Sequence, residues 1–153
     1  MSTVKFDLTY TLDALPRLLD GSLVTLKLAL LGFTFSVVLA TIVTVARTVS
    51  KSQIFGAIIA VYISFIRGTP ILVQIFLVYY VLPIIGLNIG PITAGIVALT
   101  LNSAAFIIEI LRGGLASVSK GQFEAARSLG LSGFALWVKV ILPQTFMASI
   151  PPL

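Results

Sequence analysis

Apolar runs long enough to cross a bilayer constrain this sequence most, because lipid admits only backbones whose polar groups are satisfied internally. A transmembrane helix needs about 20 mostly apolar residues. One such stretch runs from about Thr25 to Ala46, with Lys27 close enough to its end to snorkel. A second lies within Ile54–Leu87, which is too long for one straight span and is interrupted by Arg67-Gly68-Thr69-Pro70. Its membrane part is expected at about Ser64–Pro83, with a cytoplasmic extension before it. A third runs from about Ile92 to Leu111, and a fourth begins at about residues 144–153. Only 10% of the residues are charged, against about 25% in water-soluble domains. The expected fold is therefore all-α, a polytopic membrane helix bundle in one domain with three complete spans and the start of a fourth.

The charges set a direction. Ten Lys and Arg against five Asp and Glu give a net charge of +5, which in a membrane protein reports cytoplasmic loops, not nucleic acid. Arg47 and Lys51 lie between the first two spans; Arg112, Lys120, Arg127 and Lys139 follow the third. The connection from Ile84 to Pro91 carries no charge and reads as a turn through Gly86, Asn88, Gly90 and Pro91. The charged connections are expected in the cytoplasm, and the uncharged turn and the N-terminus outside. Residues 1–22 lack the basic segment of a cleavable leader. Their leucines and Phe6 point to a short external interfacial helix, interrupted near Pro16. With neither cysteine nor histidine, disulfides, thiol catalysis and His metal sites are excluded.

Residues 112–143 form a more polar connection. Ser119 is placed to cap a helix, with Gln122 completing a capping box. Gly130 suits the left-handed residue that ends it. Ser132 begins a second helix through Phe134, Leu136, Trp137 and Val140, expected to stop at Pro143. Two short helices joined by a tight turn result, with Leu129, Leu131 and Phe134 as apolar anchors. Glu124 has a local partner available in Arg127 or Ser128. Residues alone leave two readings open: a hairpin that merely connects spans, or a surface on which another protein docks.

Glu124-Ala125-Ala126, with Gly130 four residues later and Leu142-Pro143 beyond, resembles the EAA loop of ABC-importer permease subunits. Where that family usually has Ile ten residues after the Gly, this chain has Val140. The stretch Phe65-Ile66-Arg67-Gly68-Thr69-Pro70-Ile71-Leu72-Val73-Gln74 is similar to the second-span signature of the polar amino-acid uptake branch. Leu101 to Phe106, Glu109, Arg112-Gly113-Gly114, Lys120-Gly121-Gln122 and the opening span from Gly21 to Leu31 extend the likeness over nearly all the chain. The resemblance implies the type I ABC-importer fold with five spans, working as a homo- or heterodimer. It further implies two ATPase subunits below and a periplasmic or lipid-anchored binding protein above, in the inner membrane. Glu124, Ala125, Ala126 and Gly130 would then be the ATPase-docking positions. Against five spans, this chain is expected to be C-terminally truncated at Leu153, lacking about two.

A charge at the bilayer centre costs about 3 kcal/mol on insertion scales, so polar groups within the spans invite functional readings. Glu109 and Arg112, three apart, form an interfacial ion pair or serve the substrate; Arg67 snorkels or pairs with Glu109. Ala98, Asn102, Ala105 and Glu109 recur on one small face, which either packs against a neighbouring helix through the Asn102 amide or lines the path of a polar substrate. Thr100, Ser103, Gln74 and Thr69 are further candidates for that path. Gly68-Thr69-Pro70 is expected to kink the helix against its neighbours.

No Gly-x4-Gly-Lys-Ser/Thr occurs, so no P-loop is present. The expectation is therefore a non-enzymatic permease with no cofactor of its own, ATP being bound by a partner, and with polar amino acid, lipid and a second permease as its other partners. A small structural or assembly protein and an ion-coupled carrier using Glu109 are the rival classes.

Overall fold

The computed structural model describes residues 8–50 and 52–150, which form helices and their connections without strands. In chain order these are α1 (Leu8–Val49), α2 (Gln53–Gly68), α3 (Ile71–Phe76), α4 (Pro91–Ser117), α5 (Lys120–Ser128), α6 (Gly133–Leu136) and α7 (Leu142–Ser149). A π turn, Leu77–Val81, and a 3-10 turn, Leu82–Ile85, prolong α3; a second π turn, Trp137–Ile141, joins α6 to α7.

Two helices, α1 and α4, are long and apolar enough to cross a membrane. The 42 residues of α1 span about 63 Å at 1.5 Å per residue, twice the ~30 Å hydrocarbon thickness. The interruption expected near Pro16 does not occur, and the residues before Thr25 continue the helix of the first span. Proline removes one N–H, and the helix continues through Pro16 without it. Residues 1–7 of the expected interfacial segment, and residues 151–153 of the expected fourth span, lie outside the described residues.

The second expected span is broken where the sequence interrupts it, at Gly68-Thr69-Pro70, and makes a third crossing only if the bent pair is taken as one span. No straight helix covers residues 64–83; instead α2 ends at Gly68 and the chain bends by 112° into the helical run Ile71–Ile85. The cause is local. A residue before proline is pushed out of the helical region, and Thr69 is extended at φ −122° and ψ 142°. Pro70 then starts the new direction. At the other end of that run, Gly86 closes the turn in the left-handed conformation at φ 86°, as the Gly-Asn-Gly-Pro composition predicts.

Among these helices α4 is central, packed on α1, α2, α3 and α7. Its partner stripe on α1 is Gly32, Ser36, Ala40 and Thr44, all buried and four residues apart. Lipid tails are as apolar as leucine, so membrane helices associate through close backbone approach and not through hydrophobic exclusion. Small side chains permit that approach. A Cβ at Gly32 would stand 2.9 Å from the Cβ of Leu99, and one at Gly95 3.2 Å from Leu28. Pairing 28 with 95 and 32 with 99 means that α1 and α4 run in the same direction. By contrast Gln74 meets Asn102, and Val78 shares a small cavity with Ala98, so the run after Pro70 is antiparallel to α4. A second close approach seats α7 on Gly114, whose added Cβ would lie 2.6 Å from the Thr145 carbonyl.

Gly32→Val is expected to weaken the α1–α4 pair by about 1–3 kcal/mol through overpacking, read as a lower midpoint of detergent-induced unfolding. Leu30→Ala, at an exposed position of the same helix, should leave that midpoint within about 0.5 kcal/mol. Equal stability of Gly32→Val and the parent would overturn this seam.

Candidate functional site

Three groups of polar residues stand out on this frame, one at the bend, one at the ends of α1, α2 and α4, and one on the connection after α4. At the bend the sequence creates a problem that its own side chains solve. In a continuous helix the Ile66 carbonyl would accept from the N–H of residue 70, and Pro70 has none. Gln74, itself 4% exposed, donates through Nε2 to the Ile66 carbonyl at 2.9 Å. The same nitrogen reaches the Thr69 hydroxyl at 2.8 Å and the Thr69 carbonyl at 3.2 Å. Thr69 in turn donates its hydroxyl to the Phe65 carbonyl at 2.9 Å. Asn102 on α4 completes the set, donating Nδ2 to Gln74 Oε1 at 3.0 Å. Tyr62 adds a second tie by donating its hydroxyl to the Leu101 carbonyl.

Three of the expected path residues, Asn102, Gln74 and Thr69, are thus brought together into one network. Thr100 and Ser103 do not join it; the Thr100 hydroxyl is buried without a partner among the described residues. Gln74 plays a larger part than its sequence position advertises, since only the missing N–H of Pro70 makes its amide necessary.

At the ends of α1 and α4, Glu109 and Arg112 form the expected ion pair, and both carboxylate oxygens are engaged, at 3.1 and 2.8 Å. Arg67 makes no salt bridge with Glu109. Its guanidinium lies over the Phe106 ring, 5.6 Å from the centroid, where the ring face attracts the cation. Arg47, Arg67, Glu109 and Arg112 line one recess of about 680 Å³.

The connection after α4 folds on a small core of its own. Ala126, Leu136 and Ile141 are buried, with Leu115, Val118, Phe123, Leu131, Trp137 and Val140 packed round them. Phe123 and Trp137 meet edge to face at 6.2 Å. Gly130 is left-handed at φ 78°, and its N–H bonds the Arg127 carbonyl while that of Leu131 bonds Ala126. This is the Schellman arrangement that ends a helix. The capping box is not formed: Ser119 starts α5 without a side-chain bond, and Gln122 accepts from Gln144 of α7 at 3.2 Å. Nor does the second short helix stop at Pro143. The π turn ends at Ile141 and leads directly into α7, and Pro143 sits in the first turn of α7, where its missing N–H is harmless.

Of the four expected docking positions, Glu124, Ala125 and Gly130 are exposed, whereas Ala126 faces the inner core. Ala126 therefore positions the helix and offers no surface. The Glu124 carboxylate has no partner on α5 among the described residues; Ser128 bonds its backbone carbonyl instead. Leu129 and Phe134 stand 80% and 83% exposed. Leu129, directly after α5, displays a large apolar side chain next to Gly130, a surface that invites a partner, whereas Phe134 shares an apolar recess with Ile42, Val45 and Val49 of α1.

Comparison with known proteins agrees with this architecture. Residues 32–153 match the family of binding-protein-dependent transport system inner membrane components. The L-cystine transport system permease protein TcyB of Bacillus subtilis (strain 168) is 41% identical over 138 residues, 90% of this chain and 58% of that protein. The glutamine transport system permease protein GlnP of Escherichia coli (strain K12) is 38% identical over 152 residues, 98% of this chain and 69% of that protein. The chain thus spans about six- to seven-tenths of the length of these relatives. A solved amino acid ABC transporter with histidines is similar, with a TM-score of 0.76 at 36% identity, covering 97% of this chain and 69% of that one.

Gln74→Leu should destabilise the fold by about 2–4 kcal/mol, because a carbonyl and an amide are left unpartnered in an apolar setting. Asn102→Leu should cost less. In a double-mutant cycle read by detergent unfolding the two should couple by about 1 kcal/mol; strict additivity would dissolve the network.

Proposed function

We propose that this chain, which belongs to the family of binding-protein-dependent transport system inner membrane components, is a membrane-spanning subunit of an ATP-driven importer of polar amino acids. The observation that carries the reading is the connection after α4: a helical elbow on its own small core, with Leu129 exposed beside Glu124, Ala125 and Gly130. A mere connector between spans has no need of such a core, a Schellman turn and a displayed leucine beside it.

In this reading a separate ATPase subunit grips the elbow and supplies all the work, and ATP is held by that partner. The packing offers a route for the motion. Leu115 and Val118 root the elbow core in the end of α4, and α7 lies on Gly114. A displacement of the elbow therefore reaches α4, and through α4 the helices α1, α2 and α3 packed on it. A binding protein delivers substrate from the opposite side, and a second permease subunit completes the path. The relatives named for cystine and glutamine favour polar amino acids as a class without choosing one.

The parallel α1 and α4 carry Arg47 and Arg112 towards the same side as the elbow, which supports a cytoplasmic elbow in the inner membrane under the positive-inside rule. The N-terminus then lies outside. An ion-coupled carrier using Glu109 is disfavoured, since Arg112 occupies both oxygens of that carboxylate.

Gly130→Asp is expected to reduce ATP-dependent uptake to background in proteoliposomes holding the complete transporter, while membrane insertion is retained. Aspartate is among the few residues that adopt φ near 78°, so the turn can persist while a carboxylate stands where the partner would approach it. Normal coupling of ATP hydrolysis to uptake in this variant would refute the docking role. Uptake collapsed by an uncoupler alone, with ATP present, would instead identify a carrier.

A further inference from the structure

The recess of about 680 Å³ has a chemical character that the transport reading does not use. Its polar lining is Arg47 from α1, Ser64 and Arg67 from α2, and Glu109 and Arg112 from α4. Three arginines against one glutamate leave an excess of two positive charges in one concavity. Glu109 is already committed to Arg112. Arg47 and Arg67 have no carboxylate partner among the described residues, although Arg67 rests on Phe106.

A second recess of about 250 Å³ adjoins the first and shares Arg47 and Arg112 with it. Thr44 and Thr48 line it, and Thr44 is 6% exposed. Thr48 spends its hydroxyl proton on the Thr44 carbonyl at 2.8 Å. The Thr44 hydroxyl itself is buried and has no hydrogen-bond partner among the described residues. A helical threonine ordinarily donates to the carbonyl four residues back, and an unpaired buried hydroxyl costs free energy. The same recess therefore pairs surplus cationic charge with an idle donor.

We propose that the two adjoining recesses form a binding site for a phosphate-type oxyanion, with Arg47 at its centre, Arg67 and Arg112 beside it, and the Thr44 hydroxyl as a neutral donor. Guanidinium forks match the geometry of phosphate oxygens. Arg47 lies in the last turn of α1 and Arg112 near the end of α4, at the depth where spanning helices meet the headgroup layer. Basic pockets between spanning helices at that depth hold anionic lipid headgroups. The headgroup of an anionic phospholipid and free phosphate present the same oxygens. The site does not depend on the importer assignment.

The test uses the full chain in neutral detergent, with its unfolding midpoint and native mass spectra recorded against added phosphatidylglycerol, phosphatidylcholine or inorganic phosphate. Phosphatidylglycerol, or inorganic phosphate, should bind and raise the midpoint, and phosphatidylcholine should not. Response to the lipid alone identifies a headgroup site; response to both identifies a site open to free phosphate. Arg47→Gln should weaken the response about tenfold, the usual scale for one charge-assisted contact. Arg67→Gln should weaken it several-fold, as should Thr44→Val, which keeps shape and removes only the hydroxyl. Arg127→Gln on the exposed face of α5 removes the same charge elsewhere and should leave the response unchanged. Binding that is equal for the two lipids, or is lowered as much by Arg127→Gln as by Arg47→Gln, overturns the site. Should Arg47→Gln fail to fold, full retention of the response in Arg67→Gln and Thr44→Val overturns it equally.

Discussion

One hydrogen bond decides the shape of this bundle: the Gln74 amide donating to the Ile66 carbonyl. In water a carbonyl orphaned by a proline would be hydrated at little cost. Inside a membrane no such relief exists, and each unsatisfied backbone group costs several kcal/mol. The chain can afford Pro70 only because a buried side chain eight residues from the carbonyl turns back to replace the lost N–H. That bond also explains the direction of the bend. Gln74 must face the end of α2 to reach Ile66, and its remaining oxygen then faces Asn102, so closing the corner and docking it on α4 are one event.

The bend would be useless without a firm surface to dock against, and α4 supplies it through small residues. Ala94, Gly95, Ala98, Ala104 and Ala105 are buried along it; Gly95 and Leu99 meet α1 at Leu28 and Gly32, while Ala98 faces the run after Pro70. Ser36 shows how a polar residue is tolerated there, since its hydroxyl bonds the Phe33 carbonyl at 2.7 Å and presents no unmet donor to the seam. The large side chains meanwhile point outward, as Phe33, Phe35, Val38 and Ile42 do. Small residues line this seam, as close approach of membrane helices requires, while Ile59, Ile63 and Ile66 of α2 pack with Ile108 and Leu111 of α4 in the core beside it.

Much of this was legible in the sequence, for identifiable reasons. Hydropathy located α1 and α4 because a span is a property of composition over many residues. Gly130 was legible because few residues other than glycine adopt φ near 78° comfortably. What escaped were features fixed by single contacts between distant parts. The break at Gly68-Thr69-Pro70 was legible, since a proline pushes the residue before it out of the helical region, but the 112° angle of the corner and its docking through Gln74 on Asn102 were not. Pro16 and Pro143 both looked like helix breaks, yet α1 passes straight through one and the first turn of α7 absorbs the other. For Arg67 the charges left snorkelling or pairing with Glu109 open; Arg112, three residues from Glu109 on the same helix, holds that carboxylate, and Arg67 lies over the Phe106 ring. The inward turn of Ala126 was hidden because α5 is too short to show which face is covered.

That inward alanine clarifies how the elbow can be both rigid and available. A helix of nine residues is too short to be stable alone in water, so α5 must be held by packing. Ala126 provides the hold: its small side chain lets α5 sit close on Leu136 and Ile141, and its carbonyl receives the Leu131 N–H that closes the turn. Ala125, one residue earlier, points outward by the helical rotation, with Glu124 beside it. A larger residue at 126 would push α5 off its core and move Leu129 and Phe134 relative to α4. The tip therefore keeps its position because an element beneath it is small, which is the same device that joins α1 to α4 at Gly32 and α7 to α4 at Gly114.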